Sequence, residues 1–165
     1  MSTAALAAVH PQLQEFLSRK THALLIDGQK VDAASARTFP SVNPATGEVL
    51  AVVAEADAAD VDRAVAAARK ALEGPWAKMS PAEREKVLHK IADMLEARAE
   101  AFAQLETLDN GKPIREAKNG DLPLAIGLLR YFGGWPTKIH GETTPVSVPY
   151  FPGAKFLHYT VREPV

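Results

Sequence analysis

Cysteine is absent from the 165 residues. That excludes disulfides, zinc–thiolate sites, iron–sulfur clusters and a cysteine nucleophile within this chain. It suits a reducing compartment. A dominant charge is lacking too, since 19 basic and 20 acidic residues leave a net charge of −1. Lysines and arginines are scattered, so no basic surface argues for nucleic acid or an anionic membrane as partner. No apolar run approaches the roughly 18 residues that a membrane span requires. The opening MSTAALAAVHPQLQEF carries no basic region ahead of its short apolar run. It reads as a ragged terminus, not a signal peptide, and the cytoplasm is the default compartment.

Chemical signatures are equally sparse. The five histidines, His10, His22, His89, His140 and His158, have no metal-ligand spacing, and no HExxH or HxH occurs. GxGxxG and GxxxxGK[ST] are missing, so neither usual phosphate cradle is encoded. There is no GxSxG elbow. Asp109 and Lys112 could form an acid–base pair with Glu106 one turn earlier. Helix punctuation and a solvated lysine explain them more simply, because no second catalytic group lies nearby in sequence. Gly133-Gly134 permits close backbone approach, for which helix packing is the plainer reading than ligand contact.

What is present is a soluble globular composition, 47% hydrophobic and 24% charged, of one-domain length. Residues 1–10 are expected to be disordered, with a short helix over 11–20 carrying Leu13, Phe16 and Leu17 on one side. Leu24-Leu25-Ile26, Asp27-Gly28 and Gln29-Lys30-Val31 read as a β-hairpin with a tight turn. Residues 39–54 read as a second hairpin around Pro44-Ala45-Thr46-Gly47. Asp57 caps a first long helix whose apolar stripe is Val61, Ala64, Val65, Ala68 and Leu72, stopped by Gly74-Pro75. Ser80-Pro81-Ala82-Glu83 is a capping box opening a second helix. Its stripe, Val87, Leu88, Ile91, Leu95, Ala99, Phe102, Leu105 and Leu108, predicts one rod of roughly 40 Å. A third helix is expected over 113–139, either kinked at Pro123 or recapped by Asp121. Prolines at 145, 149 and 152 then suggest an extended arm, and residues 156–162 alternate like a strand.

The densest information lies in residues 105–141. Asp109-Asn110-Gly111 breaks a helix, Lys112-Pro113 restarts one, and Arg130-Tyr131-Phe132-Gly133-Gly134-Trp135 closes the segment. Six features follow in order: VNPATGEV (42–49), the Asp-rich start of the first long helix, LETLDNGKP (105–113), RYFGGW (130–135), KIHGET (138–143) and YTVREPV (159–165). Over residues 21–165 the chain resembles the N-terminal part of an NAD(P)-dependent aldehyde dehydrogenase.

The resemblance implies a fold class: an α+β fragment of an α/β aldehyde dehydrogenase fold, with two N-terminal β-hairpins, three long helices and an extended β arm. The divisions are 1–20 (disordered or short helix), 21–56 (hairpins), 57–139 (helical part) and 140–165 (a truncated, oligomerisation-type β arm). The family oxidises aldehydes to carboxylic acids. A cysteine thiolate attacks the carbonyl, hydride passes to the nicotinamide, and a glutamate activates water. Those residues lie further along such chains. No catalytic or cofactor-binding residue is therefore expected here, and neither NAD nor NADP is expected to bind this chain alone. Gly120, Leu124 and Leu128 resemble the helix face that walls the aldehyde entrance tunnel. Asp109 and the backbone near Val42 resemble part of a monovalent-cation site. The arm implies a homo-oligomer, dimer or tetramer, with an aldehyde as substrate and no nucleic-acid or membrane partner. Gly133 departs mildly from the alanine common at its position. The competing expectation is a non-catalytic interaction module that pairs with a full-length relative through its β arm.

Overall fold

The computed structural model describes residues 9–163. The expected disorder of residues 1–8 lies outside that span, as do the last two residues of the arm. A short helix α1 (Pro11–Leu17) begins behind His10, whose ring nitrogen accepts the Gln12 amide. Strands β1 (Leu24–Ile26) and β2 (Gln29–Val31) pair antiparallel. Their turn has positive φ at both Asp27 (51°) and Gly28 (74°), as a two-residue hairpin requires. Strands β3 (Thr38–Val42) and β4 (Val49–Ala54) form the second hairpin, with the register shifting between Ser41 and Val42. Asn43 is buried in the loop between them. Its side-chain oxygen accepts the Ala45 amide and its carbonyl accepts Gly47, whose φ of 72° closes the turn.

Helix α2 (Ala58–Ala71) starts at a reciprocal capping box. Asp57 accepts the Ala59 and Asp60 amides, and Asp60 accepts the Asp57 amide. Asp60 is buried, and its carboxylate also takes the Ala34 amide and the Arg63 guanidinium. It therefore ties the loop after β2 to the helix start. The expected stripe of α2 is uncovered, with Val61, Val65 and Leu72 all exposed. One turn, α3 (Pro75–Lys78), leads to α4 (Pro81–Glu96), whose Ser80–Glu83 capping box forms as the motif demands.

The rod expected over 80–108 is two helices. α4 stops at Glu96, and α5 (Ala99–Asn110) follows after Arg98 adopts φ −120° and ψ 14°. The break lets α5 turn its small residues inward: Ala101 joins Leu13, Leu17 and Leu50 in one cluster, and Ala103 joins Ala117 and Leu122 in another. Gly111 ends α5 with φ 81°, hard against Pro44 of the second hairpin.

Beyond Pro113 comes one turn, α6 (Ile114–Glu116). A π-helical turn (Ala117–Asp121) runs directly into α7 (Leu122–Gly133). The recap expected of Asp121 does not occur. Asp121 keeps helical dihedrals and makes no side-chain cap. Proline at the second position of α7 is tolerated because the wider π turn has already broken the hydrogen-bond ladder there. α7 ends at Gly133, six residues short of the expected 139, where Gly133-Gly134 halts it.

α4 and α7 pack against each other. Arg130 reaches across to Asp93 (2.8 Å) and Glu96 (2.6 Å). The strand expected over 156–162 is absent as a ladder. Residues 140–163 are mostly exposed and double back through turns over 148–154, joined by one bridge between Thr143 and Tyr159 and by the Glu142–Thr160 hydrogen bonds. Among the described residues the alternating stretch meets only the segment at Glu142 and Thr143, so pairing stops at a single bridge.

Candidate functional site

Two places in this fold carry the residues singled out from the sequence. The first is the junction of the second hairpin with the C-terminus of α5. Asp109, in the last turn of α5, accepts a hydrogen bond from the Ser41 hydroxyl at 2.6 Å. Ser41 and Val42 flank the register shift of β3, so the strand turns its backbone there instead of continuing the ladder. Gly111 and Pro44 close the same junction: a Cβ at 111 would lie 2.9 Å from Pro44 Cγ. Asp109 and Val42 thus stand on adjoining elements, with Ser41 as the direct contact. No group of three or more His, Asp or Glu side chains suited to a metal occurs among the described residues. What the junction offers is one carboxylate with the Ser41 hydroxyl on it, oxygen donors of the kind a hard cation takes.

The second place is the π turn and the outer face of α7. Ala117 is fully buried against Ala103, with Leu122 beside it. This anchors the turn on α5. Lys118 pairs with Glu100 and Lys112 with Asp121, both at 2.5 Å. The Asp121 hydrogen bond holds the Lys112 ammonium above its ordinary range, so Lys112 is no base. It also faces away from the role of acid–base partner to Asp109: each is engaged elsewhere. Glu106 is engaged as well, accepting the Asn110 amide at 2.5 Å.

Gly120 lies in the π turn with open space where a side chain would be. Leu124 and Leu128 follow on α7, 63% and 46% exposed, and Tyr131 and Trp135 extend the row with ring centroids 6.0 Å apart. Spacings of four and three residues put Leu124, Leu128 and Tyr131 on one face. The opposite face, Leu122, Ile126 and Gly133, is the buried one. The structure therefore brings the α7 residues together on one face, while Asp109 and Val42 stand at the junction of α5 with the second hairpin.

Two further groups, Asp60 and His89, make contacts that sequence reasoning passed over. Asp60 is the hub of three hydrogen-bonding partners, Ala34, Asp57 and Arg63. A carboxylate three residues after an Asp cap was the available signal. His89 was read as a lone histidine. It packs against Gly133: a Cβ there would meet His89 Cδ2 at 2.5 Å.

Comparison with known proteins matches this arrangement to one group. The model of the aldehyde dehydrogenase family matches residues 30–165. The Bacillus subtilis (strain 168) protein DhaS, a candidate aldehyde dehydrogenase by its own name, is 54% identical over 95% of this chain and 30% of its own length. Mitochondrial benzaldehyde dehydrogenase of Antirrhinum majus is 48% identical over 90% of this chain and 28% of its own. An aldehyde dehydrogenase from Bacillus cereus, solved as an NAD+ complex, superimposes with a TM-score of 0.87 at 45% identity, over 95% of this chain and 31% of that one. The chain belongs to the aldehyde dehydrogenase family, and it spans about 30% of the length of the curated relatives it matches.

Among the described residues both sheets are two-stranded antiparallel hairpins, with no parallel strand–glycine loop–helix unit. No helix among the described residues is long and apolar enough to cross a membrane.

Proposed function

We propose that this chain is the amino-terminal scaffold of an enzyme that oxidises an aldehyde to a carboxylic acid with reduction of NAD(P)+. By themselves, on this reading, the 165 residues are catalytically incompetent. The observation that carries it is the superposition on 95% of this chain but only 31% of the Bacillus cereus NAD+-bound enzyme. The lack of any cysteine supports it, because the family's nucleophile must then come from outside these residues. Within the whole enzyme, Gly120, Leu124 and Leu128 wall the aldehyde entrance. Their exposure on one face, with a glycine leaving room at its start, supports that placement. Asp109 and the Val42 backbone supply part of a monovalent-cation site. The arm over residues 140–163 joins subunits into a cytoplasmic homo-oligomer; Tyr150 and Leu157, 87% and 82% exposed, support a surface that another subunit covers.

The test is an assay of the purified 165-residue chain with NAD+ or NADP+ and either benzaldehyde or a short aliphatic aldehyde. No reduced cofactor above the protein-free rate is expected. Sustained aldehyde-dependent turnover would overturn the proposal of incompetence.

A further inference from the structure

His22 belongs to neither place described above, yet it sits at the seam between α1 and the second hairpin. Its backbone continues the sheet: its amide donates to Val52 O at 2.8 Å, and its carbonyl accepts the Ala54 amide at 2.9 Å. Its ring stacks on Phe16 of α1, with centroids 4.2 Å apart and planes 32° from parallel. Ring Nε2 is shut off from solvent and has no hydrogen-bond partner among the described residues. The Arg19 guanidinium lies 5.4 Å from the Phe16 ring centroid.

We infer that His22 is an acid-sensitive latch that holds α1 on the hairpin in its neutral form and releases it on taking up a proton. A charge at this Nε2 is buried without an acceptor, which is costly. The charges that act on the ring are both positive: Arg19 just past α1 and Lys30 on β2. The strand packed on it, β4, contributes Val52, Val53 and Ala54, none of which titrates. Burial first, and these two cations after it, hold His22 below its ordinary value of 6.5. The folded state therefore favours the neutral ring. Docking of α1 is at full strength above about pH 6.5, and weakens as pH falls below it, because the released histidine takes the proton more readily. Release uncovers Leu13 and Leu17 and opens the cleft of about 480 Å³ between α1 and α5.

Hydrogen–deuterium exchange of the 165-residue chain, corrected for the intrinsic pH dependence of amide exchange, tests this. Between pH 7.5 and 5.5, opening of residues 12–19 should rise up to about tenfold, the limit for one proton one unit below its free value. Peptides from α4 serve as reference and should not follow. His22→Phe keeps the stack and cannot protonate, so its α1 exchange should be independent of pH. Equal protection of wild-type α1 at both pH values overturns the latch, as does the same acid response in His22→Phe. If that variant does not fold, slow deuterium exchange at the His22 ring carbon of the wild type decides. A midpoint below 6.5 supports the latch, and one at or above it overturns it.

Discussion

Gly133 of α7 leaves the space that His89 of α4 fills. A Cβ built on Gly133 would stand 2.5 Å from His89 Cδ2 and 2.8 Å from His89 Nε2. The Arg130 pairs with Asp93 and Glu96 join the same two helices about one turn further along.

Gly133→Ala should therefore overpack the seam and cost about 1–3 kcal/mol. His89→Ala removes the atoms in the way, so the double variant should lose less than the sum of the two single variants. The difference should be on the order of 1 kcal/mol. Denaturant unfolding of the four proteins measures it. Strict additivity would show that the ring simply swings aside.

Asp60 should shape the acid limb of stability. The Arg63 hydrogen bond, with the Asp57 and Ala34 amides, keeps its carboxyl below the ordinary value of 3.8 against the opposing effect of burial. A depressed folded value means that stability is complete above about pH 4 and is lost as pH falls through the folded value. Asp60→Asn should be less stable at pH 7 and show a flatter decline between about pH 5 and pH 2. Glu83 and Glu100 shift in the same direction and retain part of the slope in that variant. Thermal melts across this range compare the two proteins.

A cation at Asp109 and Val42 should appear as linkage. At constant ionic strength, exchanging a bulky organic cation for sodium or potassium should raise the melting temperature of the wild type. Asp109→Asn should abolish the difference. An equal response in both proteins would remove Asp109 from any cation site.

Exposed apolar side chains on α2, α7 and the arm should make the isolated chain sticky. Val61, Val65, Leu124, Tyr131, Tyr150 and Leu157 are all exposed. Strong binding of an apolar-surface dye and self-association are expected. Leu124→Glu with Leu157→Glu should reduce both. A monodisperse chain that binds no dye would contradict this.

How much of this was legible depended on the range of the interactions. The capping boxes at Asp57 and Ser80, the Asp27-Gly28 turn and the Gly111 stop are made by residues within three positions of one another, and local pattern located them. Ordered motifs likewise named the family. The break at Arg98 was hidden because Ala97, Arg98 and Ala99 all suit a helix and the apolar stripe passes through them. What ends α4 there is the docking of Ala101 and Ala103 on different partners. The His89–Gly133 fit, the Ser41–Asp109 bond and the His22–Phe16 stack each join separate elements, so no local spacing announces them. Of the two candidate places, the α7 row was readable as an apolar face. Its phase relative to α5 was not, because the π turn intervenes.

That turn acts as a phase shifter. One residue more than an α-helix needs rotates everything after it by about 100°. Removing one residue between 117 and 121 would leave the composition of α7 untouched and restore ordinary helical geometry. It would also swing Leu124 and Leu128 away from their present outlook, or else pull Ile126 and Gly133 off α4. Length at this point, more than residue identity, fixes which way the row of apolar side chains looks.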